Sequence, residues 1–239
     1  MKAIKLIFLL LVLAGCSQER LANDSVGFDD YQLYDRYVED NGNEGIVAFK
    51  YNQDNYGIVL VLSADETLAA WGPENKNVVQ FNDYANIDFA DSYAFAIEIN
   101  QTVELLGSEK FPAFGWCHNK NNGSERIHAS SWILPNVSFL SYIFSNLEKI
   151  NESLAKNGMT LLSDEAYYWT CNEDIEDYFH FADESAQNAY DYDPVSRAIP
   201  MATDLLFPTH KTAWQKEKVY RVRAVKCIYY KSLISEDDD

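Results

Sequence analysis

Near the end of the chain, Tyr220-Arg221-Val222-Arg223-Ala224-Val225-Lys226-Cys227-Ile228 sends successive side chains to opposite faces, as a long closing β-strand does. A strand of that length needs partners for its backbone groups, so it commits the chain to a sheet built late in the sequence. The partner strand is expected at Tyr167-Tyr168-Trp169-Thr170-Cys171, whose aromatic content suits a pleated, half-covered surface. Ahead of both lies a helix. Asn136 follows Pro135 as a good N-cap, and Val137, Leu140, Ile143, Phe144, Leu147, Ile150 and Leu154 keep a helical stripe up to Gly158, with a kink expected near Asn146.

The start of the chain reads as an export leader. Lys2 and Lys5 precede an apolar run from Leu6 to Leu13 that is too short to cross a bilayer. The run closes as Leu13-Ala14-Gly15-Cys16, which resembles the lipobox of bacterial lipoproteins. Residues 1–15 are therefore expected to be removed and Cys16 to be lipidated, giving stable attachment when more than one acyl chain is present. Ser17 does not resemble an inner-membrane retention signal, so the outer membrane is the expected destination. Residues 16–44 read as a lipid-anchored tether, 45–231 as one domain and 232–239 as an acidic tail.

The formal net charge of -18 excludes nucleic acid as a partner, because phosphate binding needs a positive field. A composition 47% hydrophobic and 14% aromatic excludes a disordered chain. Beyond Cys16, the thiols Cys117, Cys171 and Cys227 permit one disulfide outside the cytoplasm. The expected pair is Cys117 with Cys227, with three buried free thiols as the alternative.

Ile46–Tyr51 and Tyr56–Ser63 predict a hairpin around Asn52-Gln53-Asp54-Asn55. Leu68–Trp71 predicts a further strand and Asn75–Asp91 a long loop. Ala94, Ile97, Val103 and Leu106 predict the apolar face of a helix ending at Gly107. Phe111–Cys117 reads as irregular, Tyr178–Ala182 as a strand and Glu184–Gln215 as a long loop. Strands, two helices and then strands again point to an α+β fold.

Trp132-Ile133-Leu134-Pro135, the helix after it, Tyr167-Tyr168-Trp169-Thr170 and Tyr220–Val225 together resemble the domain family named after the Legionella collagen-like protein C-terminus, and its neighbour, the Fibrobacter succinogenes major paralogous domain. Gly45-Ile46-Val47-Ala48-Phe49 and Pro112-Ala113-Phe114-Gly115-Trp116-Cys117 fit the earlier part of the same pattern. Phe139 and Cys171 depart from it, standing where the family has a glutamate and a serine. The resemblance implies a C-type-lectin-like fold, with a small twisted sheet, two helices and long loops, in secreted or surface-attached ligand-binding proteins. The long loop is then the expected binding face, with Tyr190, Tyr192, Phe207 and Trp214 as candidate contact residues, since Tyr and Trp rings stack on sugars and anchor protein contacts.

Chemistry beyond binding finds little support. Leu134-Pro135-Asn136 lacks the carboxylate of a lectin calcium loop. His118, His128, His180 and His210 have no zinc-ligand spacing, and no nucleophile elbow or phosphate loop occurs. No metal or cofactor is therefore expected. Ten carboxylates from Asp164 to Asp193 face no intervening cation, whereas cations crowd the closing strand, and the two sets are expected to compensate. The expected function is a non-catalytic binding domain for a glycan or an envelope protein, held at the membrane through Cys16. A structural subunit of a cell-surface assembly is the alternative. A third reading is an envelope hydrolase using Glu173, Asp174, Glu176 or Asp177.

Overall fold

The computed structural model describes residues 27–53, 56–73, 78, 89–121, 126–173, 197–201 and 214–231. Its strands are β1 (Arg36–Val38), β2 (Glu44–Gln53), β3 (Tyr56–Ser63), β4 (Thr67–Ala70), β5 (Trp132–Ile133), β6 (Tyr168–Glu173), β7 (Arg197–Met201), β8 (Trp214–Gln215), β9 (Val219–Val222) and β10 (Val225–Lys231). Its helices are α1 (Phe89–Leu106), α2 (Pro112–His118), α3 (Val137–Ser145) and α4 (Leu147–Lys156). The fold is mixed α+β, with two five-stranded sheets ordered β1-β2-β3-β10-β5 and β4-β9-β6-β7-β8. The strand pairings among the described residues are antiparallel except for β6 beside β9.

The two sheets are limbs of one bent ribbon. β3 pairs with β10 in the first sheet, and the same two segments run on as β4 and β9, paired in the second. Leu62 opposes Val225 before the corner and Thr67 opposes Val222 after it. Four residues, 63–66, thus span on one limb what Arg223 and Ala224 span on the other. The longer limb takes the outside of the bend, a known way for strands to pass between sheets. Ser63 N–H donates to Ala224 O (3.0 Å) and Ser63 Oγ to Asp65 O (2.9 Å), holding the corner. The closing strand read from the sequence is therefore two strands in two sheets. No Gly or Pro marks the break, which is why alternation passed straight through it.

Ile58, Val59, Leu60, Val61 and Leu62 are all fully buried, so the first sheet is covered on both faces. Helices cover one face, where Phe49 meets Tyr142 of α3 (4.0 Å between ring centroids) and Tyr229 stacks with Tyr93 of α1. The N-terminal segment covers the other. Phe28 and Tyr31 pack on Tyr230, Lys50 Nζ donates to Tyr31 O (2.6 Å), and Tyr37 lies against Trp132. Residues 28–44 are thus part of the folded body, correcting the tether expected over 16–44; the apolar contribution is four aromatic rings, Phe28, Tyr31, Tyr34 and Tyr37, three residues apart, a spacing that matches neither the alternation of a strand nor a sustained helical stripe.

Asn136 Oδ1 accepts from Phe139 N–H (2.8 Å), the N-cap expected from sequence, and Gly158 follows α4 with φ 68°. The expected kink is a full break between α3 and α4 at Asn146. In α1 the buried residues include Tyr93, Ala96, Ile99, Asn100 and Val103, whereas Ala94 and Leu106 are exposed. The predicted face was rotated because a buried asparagine occupies the centre of the true one. Phe111–Cys117 is largely helical, with Pro112 at the first helical position, where its missing N–H is harmless. Most of the Asn75–Asp91 loop and the Tyr178–Ala182 strand fall outside the described residues.

Two glycines mark contacts too close for a side chain. A Cβ at Gly45 would sit 2.2 Å from Leu62 O, and one at Gly57 would sit 2.7 Å from the Phe28 ring. Nearby, β2 carries an extra residue, Ala48, between the pairs Val47–Val61 and Phe49–Leu60. Such a bulge adds local twist and lets the sheet coil. Backbone cannot yield where a ring can swing, so Gly45→Ala is expected to cost about 3 kcal/mol and Gly57→Ala only about 1 kcal/mol. Urea midpoints of the two variants check this order, and equal losses would refute it.

Candidate functional site

Polar chemistry collects at three places among the described residues, each joining elements that are distant in sequence. The first lies at the corner of the ribbon. Arg221 Nη1 donates to Glu66 Oε1, Tyr168 Oη donates to Glu66 Oε2 (3.0 Å), and Arg223 Nη1 stands 3.6 Å from Glu66 Oε2. The Glu66 side chain is 10% exposed and that of Arg223 is not exposed at all. Burial drives the Arg223 pKa down to about 10, against the pull of Glu66, and pushes Tyr168 up to about 12. Arg223 is therefore a buried cation at neutral pH. Beside them, Lys120 Nζ pairs with Asp65 Oδ1 (2.5 Å).

The second place centres on Glu39, just after β1. Its carboxylate accepts from Tyr37 Oη (3.1 Å), Asn43 Nδ2 (3.0 Å), Trp132 Nε1 (2.9 Å) and Lys226 Nζ (2.5 Å). Burial raises the pKa of this carboxyl, but the bonds from Lys226, Trp132 and Asn43 outweigh it and leave Glu39 below its usual value. Four donors saturate the group, which ties β1, β5 and β10 together.

The third place is Asn100 of α1. Its Nδ2 donates to Ala96 O (2.8 Å) and Leu134 O (3.0 Å), while Oδ1 accepts from Leu134 N–H (3.0 Å) and faces His118 Nε2 (3.2 Å). As Oδ1 accepts, the Nε2–H tautomer of His118 fits this contact. Burial lowers the His118 pKa to about 4. Next to it, Cys171 N–H donates to Pro135 O (2.7 Å) and Asn172 Oδ1 accepts from Val137 N–H (2.7 Å), pinning β6 to the start of α3.

The residues singled out from the sequence divide three ways. Trp214 is in β8, beside β7. Tyr190, Tyr192 and Phe207 lie outside the described residues, as does Cys16. The expected Cys117–Cys227 disulfide is corrected: Cys117, Cys171 and Cys227 are all buried free thiols, and burial pushes each of them up in pKa. They are placed by hydrophobic packing on α2, β6 and β10. Asn136 is spent on its helix cap. Arg221, Arg223 and Lys226 of the closing cations find their partners in Glu66 and Glu39, acids outside the Asp164–Asp193 run. Of that run, Asp174 to Asp193 lies outside the described residues, including Asp174, Glu176 and Asp177.

Glu66, Glu39, Asn100 and Arg223 were missed as site residues. A lone acid between Asp65 and Thr67 carries no signal of burial, whereas Arg223 inside an alternating strand did carry one.

Among the described residues no group of three or more His, Cys, Asp and Glu side chains could hold a metal ion, and no helix is long and apolar enough to cross a membrane. No family model matches the chain. No curated protein matches it. Among solved structures, a fimbrial protein from Bacteroides ovatus is similar at a TM-score of 0.45 and 14% identity, over 71% of this chain and 36% of that one. The chain thus spans about a third of that protein's length.

His118 makes stability depend on pH. Its folded-state pKa of about 4 lies below the ordinary 6.5, so between these values the unfolded chain binds more protons. Its contribution is complete above about pH 6.5 and is lost as pH falls towards 4, amounting to roughly 3 kcal/mol at most. Denaturation midpoints from pH 7 to pH 4 are expected to fall more steeply for the native chain than for His118→Gln. Parallel curves would contradict the assignment.

Proposed function

We propose that the protein is a lipoprotein held at the bacterial outer membrane through Cys16, presenting a non-catalytic, C-type-lectin-like body that binds a glycan or an envelope protein. The observation that carries this reading is where the folded body begins and ends. Phe28 packs on Tyr230, and Lys231 opposes Tyr56, so the described chain enters and leaves at one end of the first sheet. β3 and β10 run from that end to the corner, a span of about 20 Å at the rise of a strand, and the second sheet lies beyond it. A body tethered at Cys16 then turns its second sheet away from the bilayer. That sheet contains Trp214, and the two long connections between β6, β7 and β8 start and finish on it.

Among the described residues, several polar side chains that could do chemistry are instead committed to holding the structure, in keeping with a binding role. Glu39 is saturated by four donors, His118 is engaged with Asn100, and the thiols are buried. Trp132-Ile133 pairs with β10 as β5, and Tyr168 pairs with Arg221, so the motif residues meet in the two sheets.

A second reading, a structural or accessory subunit of a cell-surface assembly, is favoured by the edge of the second sheet. Leu68 of β4 is 66% exposed and Val219 of β9 is 59% exposed. Leu68 opposes Arg221 and Ala70 opposes Val219, so the two side chains are diagonal neighbours on one face, an apolar rim suited to protein contact.

Replacing Cys16 by Ala is expected to move the protein from the membrane fraction to the soluble fraction. The released body should then retain specific spots on a glycan array. Unchanged membrane retention overturns the anchor. A silent array, together with stoichiometric recovery of one fixed partner, replaces glycan binding with the assembly reading.

A further inference from the structure

We infer that the corner of the ribbon holds a small monovalent anion, of halide size, against the guanidinium of Arg223. The Nε, Nη1 and Nη2 atoms of this fully buried side chain have no hydrogen-bond acceptor in the structure. Among the described residues the nearest carboxylate does not supply one: Glu66 Oε1 accepts from Arg221 and Oε2 from Tyr168, and Oε2 stands 3.6 Å from Arg223 Nη1, beyond hydrogen-bond distance.

A buried, fully unsatisfied guanidinium is among the costliest arrangements in a protein interior. Five N–H donors in a planar fork suit an anion better than any other small ligand. The charges around the corner point the same way. Among the described residues, Asp65 and Glu66 face Lys120, Arg221 and Arg223, which leaves one positive charge over. A doubly charged anion would overshoot that balance. The Arg221 side chain, which shares Glu66 with Arg223, is 37% exposed. The Glu66 carboxylate opposes an incoming anion, so its removal should strengthen binding. A purely structural ion pair would respond in the opposite way.

The full-length protein, purified in gluconate, is the material for the test, with bromide as the probe. Crystals grown in sodium bromide are expected to show one anomalous peak within about 3.5 Å of the Arg223 guanidinium. In solution, Tm is expected to climb by roughly 3–5 °C for each tenfold rise in bromide above saturation, at ionic strength held constant with gluconate. Arg223→Met should abolish both signals. Glu66→Gln should shift the bromide dependence of Tm to lower concentration even though its Tm without bromide is lower. Because that variant is read by its bromide response, a loss of stability does not obscure it. Water alone at the guanidinium, a Tm indifferent to bromide, or a Glu66→Gln variant whose bromide response is weakened would each overturn the inference.

Discussion

Everything above the level of single elements depends on one carboxylate held between two guanidiniums at a bend. Glu66 lies on the outer limb of the ribbon formed by β3 and β4, and on the inner limb Arg221 lies in β9 and Arg223 in the step into β10. Where two strands leave one sheet for another, ladder bonds are interrupted and polar groups go inside. Breaking a buried pair by removing one partner typically costs 3–5 kcal/mol, because the remaining charge is stranded. The corner is therefore both where the two sheets are joined and where the fold is most vulnerable. The remaining polar centres repeat the same logic. Glu39 closes the N-terminal segment onto β5 and β10, and Asn100 closes α1 onto the chain leading into α3.

How far this was legible in the sequence follows from the reach of each signal. Local signals read well. The β2–β3 hairpin, the Asn136 cap and the break at Asn146 depend on neighbours in the chain, and the structure has each of them within a few residues of its expected place. Signals that depend on distant partners did not. Arg223 and Ala224 continue an unbroken alternation, so nothing local separates β9 from β10. Asn100 sits on the buried face of α1 because Leu134 supplies both a donor and an acceptor, which no periodicity of apolar residues encodes.

The candidate site was less legible than the fold, for a related reason. Aromatic residues were singled out for contact, yet three of the described tryptophans, Trp71, Trp132 and Trp169, fill the interior together with Tyr168. The N-terminal aromatics Phe28, Tyr31 and Tyr37 looked like decoration on a tether and instead cover a sheet face. That cover brings the start of the body to its C-terminal strand, and the orientation proposed for an anchored protein rests on it. Cysteine count likewise suggested a disulfide, while the packing of α2, β6 and β10 places each thiol in the core unpaired.

The central claim is that the bent ribbon makes the two sheets a single cooperative unit. Native-state hydrogen exchange across the ribbon tests it most directly. The account predicts that the slow amides of β9 and β10 exchange with the same opening free energy, equal to that of global unfolding. Exchange of β4 and β9 through a separate, lower-energy opening, with β3 and β10 still protected, would contradict it.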